Sequence, residues 1–227
     1  MRVLALETAT LAGSVALLDD GRVVGETLLN ISLTHSERLM AMVDRLLHDS
    51  GSSLQDLNGL AVSIGPGSFT GLRVGIATAQ GLALALGLPV APVPTLDALA
   101  WRLPFAEAPV CPVLDARRGE VYLSLYEWRG DRMARLWEYL ALSPREAAER
   151  LSAPVILLGD GVEACRPFLA HLGPRPWLAP AAQSIPSAAV VGQLGQALLE
   201  SGGGVGADAL VPLYLRPSEA ELKRQHA

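Results

Sequence analysis

Short apolar runs punctuated by Gly and Asp open the chain. Val-Leu-Ala-Leu-Glu ends at Glu7, Gly13–Leu17 alternates, and Arg22–Leu29 follows. Such patterning predicts three strands joined by tight turns. The period then changes to a helical one. Leu39, Met40, Val43, Leu46 and Leu47 share one face of a helix over Thr34–Ser50, and Thr34 with Glu37 has capping-box spacing. An apolar strand, Leu60–Ile64, then runs into a glycine- and hydroxyl-rich loop. The helix it opens, over 71–86, carries small residues at Gly75, Ala77, Ala79, Gly81, Ala83 and Ala85. Small residues allow another backbone to come close.

The same order recurs further along. Cys-Pro-Val-Leu-Asp ends at Asp115, Gly119–Leu123 alternates, and Arg132–Leu140 supplies a third strand. Ser143 and Glu146 repeat the capping-box spacing at the head of a helix over Ser143–Leu151. Leu157-Leu-Gly-Asp-Gly161 repeats the strand and Gly-x-Gly ending of Ser63-Ile-Gly-Pro-Gly67. Each copy therefore reads strand, strand, strand, helix, strand, helix. The prediction is an α/β protein of two lobes around a cleft. Residues 1–105 form an N-terminal lobe with the glycine loop, and 106–227 form a C-terminal lobe plus tail. Leu103–Pro109, with two prolines, is the joint.

Composition narrows the function classes. The 227 residues are 50% hydrophobic and 18% charged, enough for a substantial core and unlike a disordered chain. The formal charge of −5, without a basic run, argues against strong direct nucleic-acid binding. The chain starts on a strand rather than a basic-apolar leader, and the apolar stretch Val74–Val93 is interrupted by Thr78, Gln80 and several glycines. Both features predict a cytoplasmic protein without a membrane span. Cys111 and Cys165 lack metal-site spacing and read as buried free thiols.

Candidate chemistry centres on the glycine loop. Its N–H groups lie where the helix dipole is positive, which suits either an anion or a tight strand-to-helix turn. It is not a P-loop, because Leu72-Arg73 follows Gly71 where Lys-Ser/Thr is required, and Thr70 stands where GxGxxG needs its third glycine. Ser68 follows Gly-Pro-Gly rather than sitting in a G-x-S-x-G elbow, and no Ser–His–Asp or Cys–His set has the right spacing. His35 has Arg38 three residues on and Leu39 four on, while His48, His171 and His226 lack paired spacing. No metal centre is expected.

The two helices invite a second reading. Met40 and Met42 broaden the apolar face of the first. On the second, Arg73, Ile76, Ala79, Gln80 and Ala83 share a flank, while Val74, Leu82 and Leu86 turn to the sheet. That flank suits a close-packed partner helix. A core helix buried on both sides has the same composition, and the residues alone leave both readings open.

The duplicated order resembles the actin-like superfamily of sugar kinases and heat-shock ATPases, whose lobes are ribonuclease-H-like. Leu4-Ala-Leu-Glu-Thr-Ala-Thr10, His35-Ser-Glu-Arg-Leu39, Gly65-Pro-Gly-Ser-Phe-Thr-Gly-Leu-Arg-Val-Gly75, Asp115-Ala-Arg-Arg-Gly-Glu-Val-Tyr122 and Pro212-Leu-Tyr-Leu-Arg-Pro217 look like the TsaB (YeaZ) family. The resemblance covers nearly the whole chain. It implies a non-catalytic role in making threonylcarbamoyladenosine at tRNA position 37. A paralogous TsaD-type transferase and a TsaE-type ATPase are the implied partners, with tRNA reached only through the complex. It favours the partner reading of the helices, through His35, Leu39, Met40, Met42, Val43, Leu47, Arg73, Ile76, Ala79, Gln80 and Ala83, and implies homodimers through the same face. The superfamily implies a weak magnesium ATP or ADP site at the subunit junction, from Glu7, Thr8, Thr10, Ser14, Gly65, Gly67 and Asp115, with no cofactor required. The competing reading is a small-molecule kinase or ATPase.

Overall fold

The computed structural model describes residues 1–31, 35–173 and 177–216. β1 (Arg2–Glu7), β2 (Gly13–Asp19) and β3 (Arg22–Leu29) form an antiparallel meander. Asp20 and Gly21, both at positive φ, turn β2 into β3, as Asp-Gly does with little strain. α1 (His35–Asp49) crosses to β4 (Gly59–Gly65), which lies parallel to β1. α2 (Phe69–Leu86) crosses to β5 (Val90–Pro94), parallel to β4, and α3 (Thr95–Ala100) follows. The sheet order is β3-β2-β1-β4-β5. The Thr34 cap predicted for α1 lies outside the described residues.

The second lobe starts with β6 (Val110–Arg117) and β7 (Glu120–Leu123), followed by β8 (Tyr126–Arg129) and β9 (Arg132–Arg135). β10 (Leu140–Leu142), α4 (Pro144–Glu149), β11 (Ile156–Leu158), α5 (Val162–Cys165), β12 (Trp177–Leu178) and α6 (Ala188–Glu200) complete it in sequence. The order β10-β7-β6-β11-β12 repeats that of the first sheet, antiparallel on one side and parallel on the other. Ser143 accepts from the Glu146 N–H at 3.3 Å while Glu146 accepts from Ser143 N–H at 3.0 Å, the reciprocal cap expected at α4.

Two sequence expectations need correction here. The third strand over Arg132–Leu140 is two strands. Gly130, at positive φ, turns β8 back on β9 as a separate hairpin, and only β10 pairs with β7. The final helix of the second copy is a single turn, α5, because Pro167 carries no N–H to continue it.

A third correction concerns the lobe boundary. Residues 106–227 do not all belong with the second sheet, because α6 returns to the first. Side chains of the first sheet alternate across it. Leu4, Leu6, Val15, Leu17, Leu60 and Val62 meet α1 and α2, while Val3, Ala5, Ala16, Leu18 and Ala61 meet α6. Gly192 and Gly195 let α6 sit close, since a side chain there would overlap Leu18 or Ala61. Ser14 Oγ accepts from the Ala188 N–H at 2.8 Å, and Glu26 accepts from Ser187 Oγ at 2.7 Å, pinning the start of α6. Leu96 and Leu99 of α3 pack with Val110, Leu114 and Tyr126, so the lobes share a core at the joint.

α2 is, among the described residues, the helix long and apolar enough to cross a bilayer, and it packs along β4 with Leu72, Ile76, Ala79 and Leu82 buried. The segment after α6 straps both lobes. Leu213 N–H donates to Ile64 O at 2.7 Å, and Arg216 pairs with Glu120 at 2.5 Å. Cys111 and Cys165 are free and buried, and burial raises both thiols.

Candidate functional site

The glycine loop and the end of β1 are built against each other. Thr8 Oγ1 donates to the Gly71 carbonyl at 2.9 Å, and Ser68 N–H donates to the Ala9 carbonyl at 2.6 Å. A Cβ at Gly71 would overlap the Thr8 carbonyl oxygen, one at Gly75 the Thr8 hydroxyl, and one at Gly67 the Ala9 carbonyl. The Gly71 N–H is taken by Ser68 Oγ at 3.2 Å, which gives Ser68 the role of helix cap. Of the two readings of the loop, close packing with a tight turn is the one the geometry carries. Gly65 is spent in the same way, at positive φ and against the Leu213 carbonyl.

This packing relocates the predicted nucleotide residues. Glu7, Thr8 and Ser14 are fully buried, and Gly65 is buried too. Glu7 Oε1 accepts the Ala9 N–H at 2.5 Å, while Oε2 has no partner among the described residues. Burial pushes the Glu7 carboxyl up to about 7, against the Ala9 and Ser63 hydrogen bonds that favour its charge. Ser14 caps α6 rather than lining a phosphate hairpin. Thr10 is half-buried, its hydroxyl donating to Ala12 O at 3.4 Å. Asp115 stands half-buried in the other sheet, accepting from Arg117 N–H at 2.7 Å, with its own N–H on Asp160 Oδ1 at 2.9 Å. No hydrogen bond among the described residues joins Asp115 to Glu7. Among the described residues, Thr10, Gly67 and Asp115 are the members of the set that stay partly exposed.

His35 and Arg38 tie the first turn of α1 to the β1–β2 loop. His35 Nε2 lies 2.8 Å from Thr10 O, and Nδ1 lies 3.2 Å from Arg38 Nη2. A guanidinium only donates, so Nδ1 accepts and the proton sits on Nε2. Arg38, itself buried, also donates to Leu11 O at 3.0 Å. Half-burial holds the His35 ring below its ordinary value, and Arg38 adds to this. Among the described residues, no group of three His, Cys, Asp or Glu side chains is placed to hold a metal ion.

The helical face differs from the sequence prediction. Leu39, Met42, Val43 and Leu47 are buried in the chain's own core, as are Ile76, Ala79 and Ala83. The C-terminal strap reaches the flank with Gln80 and Arg73, where Gln80 is half-buried and Arg73 exposed. Gln80 donates to the Ala207 and Leu210 carbonyls at 3.1 and 3.0 Å, and Arg73 stacks on Phe69 beside Tyr214. Beside the exposed Arg73, the outer side of α2 carries small and apolar residues. Ala77, Gly81, Leu84 and Ala85 are exposed along α2, with Leu84 74% exposed, and Met40 of α1 is 47% exposed. Sequence reasoning missed Leu84, although it follows Arg73 and Gln80 on the same side of the helix; that spacing was the available signal.

Two sheets of matching topology, a helix that returns from the second half to the first, and a glycine turn after β4 define an actin-like, ribonuclease-H-like protein. The activator of 2-hydroxyisocaproyl-CoA dehydratase from Clostridium difficile, at 9% identity and TM-score 0.54, covers 89% of this chain and 97% of its own and has the same fold. A family model described as TsaD, tRNA N6-adenosine threonylcarbamoyltransferase, matches residues 29–221. The tRNA threonylcarbamoyladenosine biosynthesis protein TsaB of Bacillus subtilis is 32% identical, over 98% of this chain and 97% of its own length. Its Escherichia coli namesake is 42% identical over 72% of this chain and 73% of its own. YeaZ from Pseudomonas aeruginosa superposes with TM-score 0.81 at 33% identity, covering 94% of this chain and 99% of the other. The chain belongs to the TsaB/YeaZ family.

Proposed function

We propose that this chain is a non-catalytic scaffold in tRNA threonylcarbamoyladenosine formation. It docks a TsaD-type threonylcarbamoyl transferase, and a TsaE-type ATPase joins the pair. The observation that carries the reading is the apolar stripe of Ala77, Gly81, Leu84 and Ala85 beside Met40, left uncovered on two adjacent helices. Small residues there let a second pair of helices approach closely, so four helices bury the stripe together. In the absence of the transferase, two copies pair through the same face. Catalysis is left to the transferase because the carboxylate best placed by sequence, Glu7, is sealed inside the first lobe. Thr10, Gly67 and Asp115 are the members of the predicted nucleotide set that are not buried, and a magnesium nucleotide held weakly at the junction meets these. tRNA engages the assembled complex rather than this acidic chain alone.

The test is co-purification with the transferase, followed by reconstitution of tRNA modification with and without this chain while ATP consumption is followed. Leu84→Arg abolishes co-purification and tRNA modification together. Retained binding by a folded Leu84→Arg chain rejects the helical face, and magnesium-dependent ATP turnover by the isolated chain, lost in Asp115→Asn, rejects the scaffold.

A further inference from the structure

On the face of the first sheet opposite α1 and α2, a cleft of about 340 Å³ opens where α3, α6 and the β8–β9 hairpin meet. Its walls are apolar: Val93, Trp101, Met133, Leu194 and Leu198. Its size falls in the range of small-molecule sites. Two opposite charges also line it, Asp97 from α3 and Arg135 from β9.

Tyr139 fixes both charges and keeps them apart. Its hydroxyl donates to Asp97 Oδ1 at 2.8 Å, and its ring lies under the Arg135 guanidinium at 4.2 Å. The buried Tyr126 hydroxyl donates to the same Asp97 oxygen at 2.6 Å. Both phenols converge on Oδ1. Among the described residues no ion pair joins Asp97 to Arg135; the guanidinium has a loose 3.9 Å contact to the exposed Glu138. Opposite charges close enough to pair normally do so. Here an aromatic spacer holds them open at the edge of an apolar cleft.

We propose that this cleft binds a free α-amino acid with an aliphatic or thioether side chain. The ammonium group donates to Asp97, the carboxylate accepts the planar fork of Arg135, and the side chain enters among Leu194, Leu198 and Met133. A ligand lacking either charge leaves Asp97 or Arg135 desolvated without a counter-charge, so the site selects for the zwitterion. Nothing in this site uses the docking stripe on α2, which lies across the sheet.

The full chain is titrated with L-leucine and with L-methionine by calorimetry and by tryptophan fluorescence, Trp101 lining the cleft. Saturable one-site binding of either, at about millimolar affinity or tighter, is expected. Leucinamide, which lacks the carboxylate, 4-methylpentanoate, which lacks the ammonium, and glycine each bind about tenfold or more weakly. Arg135→Gln, at an exposed side chain that folding tolerates, weakens leucine to the same degree. Asp97→Asn does so too where it folds, keeping an oxygen for the tyrosines without the charge. Leu84→Arg leaves leucine binding unchanged, which separates this site from the docking face. The proposal is overturned if neither amino acid saturates, if leucinamide or 4-methylpentanoate binds as tightly as leucine, or if Arg135→Gln has no effect.

Discussion

The Thr8 hydroxyl bonds to the Gly71 carbonyl at 2.9 Å, joining the end of β1 to the first turn of α2 across 63 positions of sequence. The carbonyl of Thr8 faces Gly71 in turn, and its hydroxyl faces Gly75, so both glycines leave room for Thr8. Gly71→Ala forces the two backbones apart and Gly75→Ala displaces the Thr8 side chain, and each lowers stability by about 1–3 kcal/mol. Urea unfolding measures it. An unchanged midpoint for Gly71→Ala ends the close-approach explanation.

Gly81 is the opposite case. It sits on the exposed side of α2 with nothing near its missing Cβ. Gly81→Ala therefore gains helix propensity and raises stability by about 0.5–1 kcal/mol in the isolated chain. A lower midpoint would mean that this face of α2 is covered after all.

Ile76 and Leu84 are two turns apart on α2 and behave as different kinds of residue. Ile76 is buried, so Ile76→Arg places an unpaired charge in the first core and prevents stable folding. Leu84→Arg changes stability by no more than about 0.5 kcal/mol. Thermal melts followed by circular dichroism separate them. Equal losses in both would remove Leu84 from the list of surface residues.

Glu7 makes stability depend on pH. Its folded value is raised from 4.5 to about 7, so the native chain keeps a proton that the unfolded chain releases across that window. Stability is highest below about pH 4.5 in this respect, falls as pH rises to about 7, and then levels off, a change on the order of 3 kcal/mol. Glu7→Gln flattens this limb. A wild-type slope that survives the substitution assigns it to another group.

His35 slopes the other way. Its folded value is held below 6.5, so the unfolded chain takes the proton first. Its contribution is intact above pH 6.5 and is lost as acid protonates Nδ1 against Arg38. Comparing the acid limbs of wild type and His35→Gln isolates it. An identical limb in the variant would show that the ring stays neutral in both states.

The succession of strands and helices in the first lobe, the Ser143–Glu146 cap and the position of α2 were legible because alternation, capping and apolar spacing are local signals. The β8–β9 hairpin was hidden because Arg132–Leu140 alternates equally well as one strand or as two. At the site, sequence marked Glu7 and Ser14 as polar residues at strand ends, which is also what a buried cap for a distant helix looks like. Only tertiary contacts show that Ser14 serves Ala188. The helix faces were legible only in part, with Met40 and Arg73 exposed but Ile76 and Ala79 buried. α2 has small or apolar residues nearly all round, so its pattern does not say which side meets the strap and which meets solvent.

The return of α6 has a consequence for how the molecule is made. One surface of the first sheet stays greasy and uncovered until residues 188–200 leave the ribosome. The first half is therefore not a self-sufficient folding unit, because its second layer is supplied from the far end of the chain.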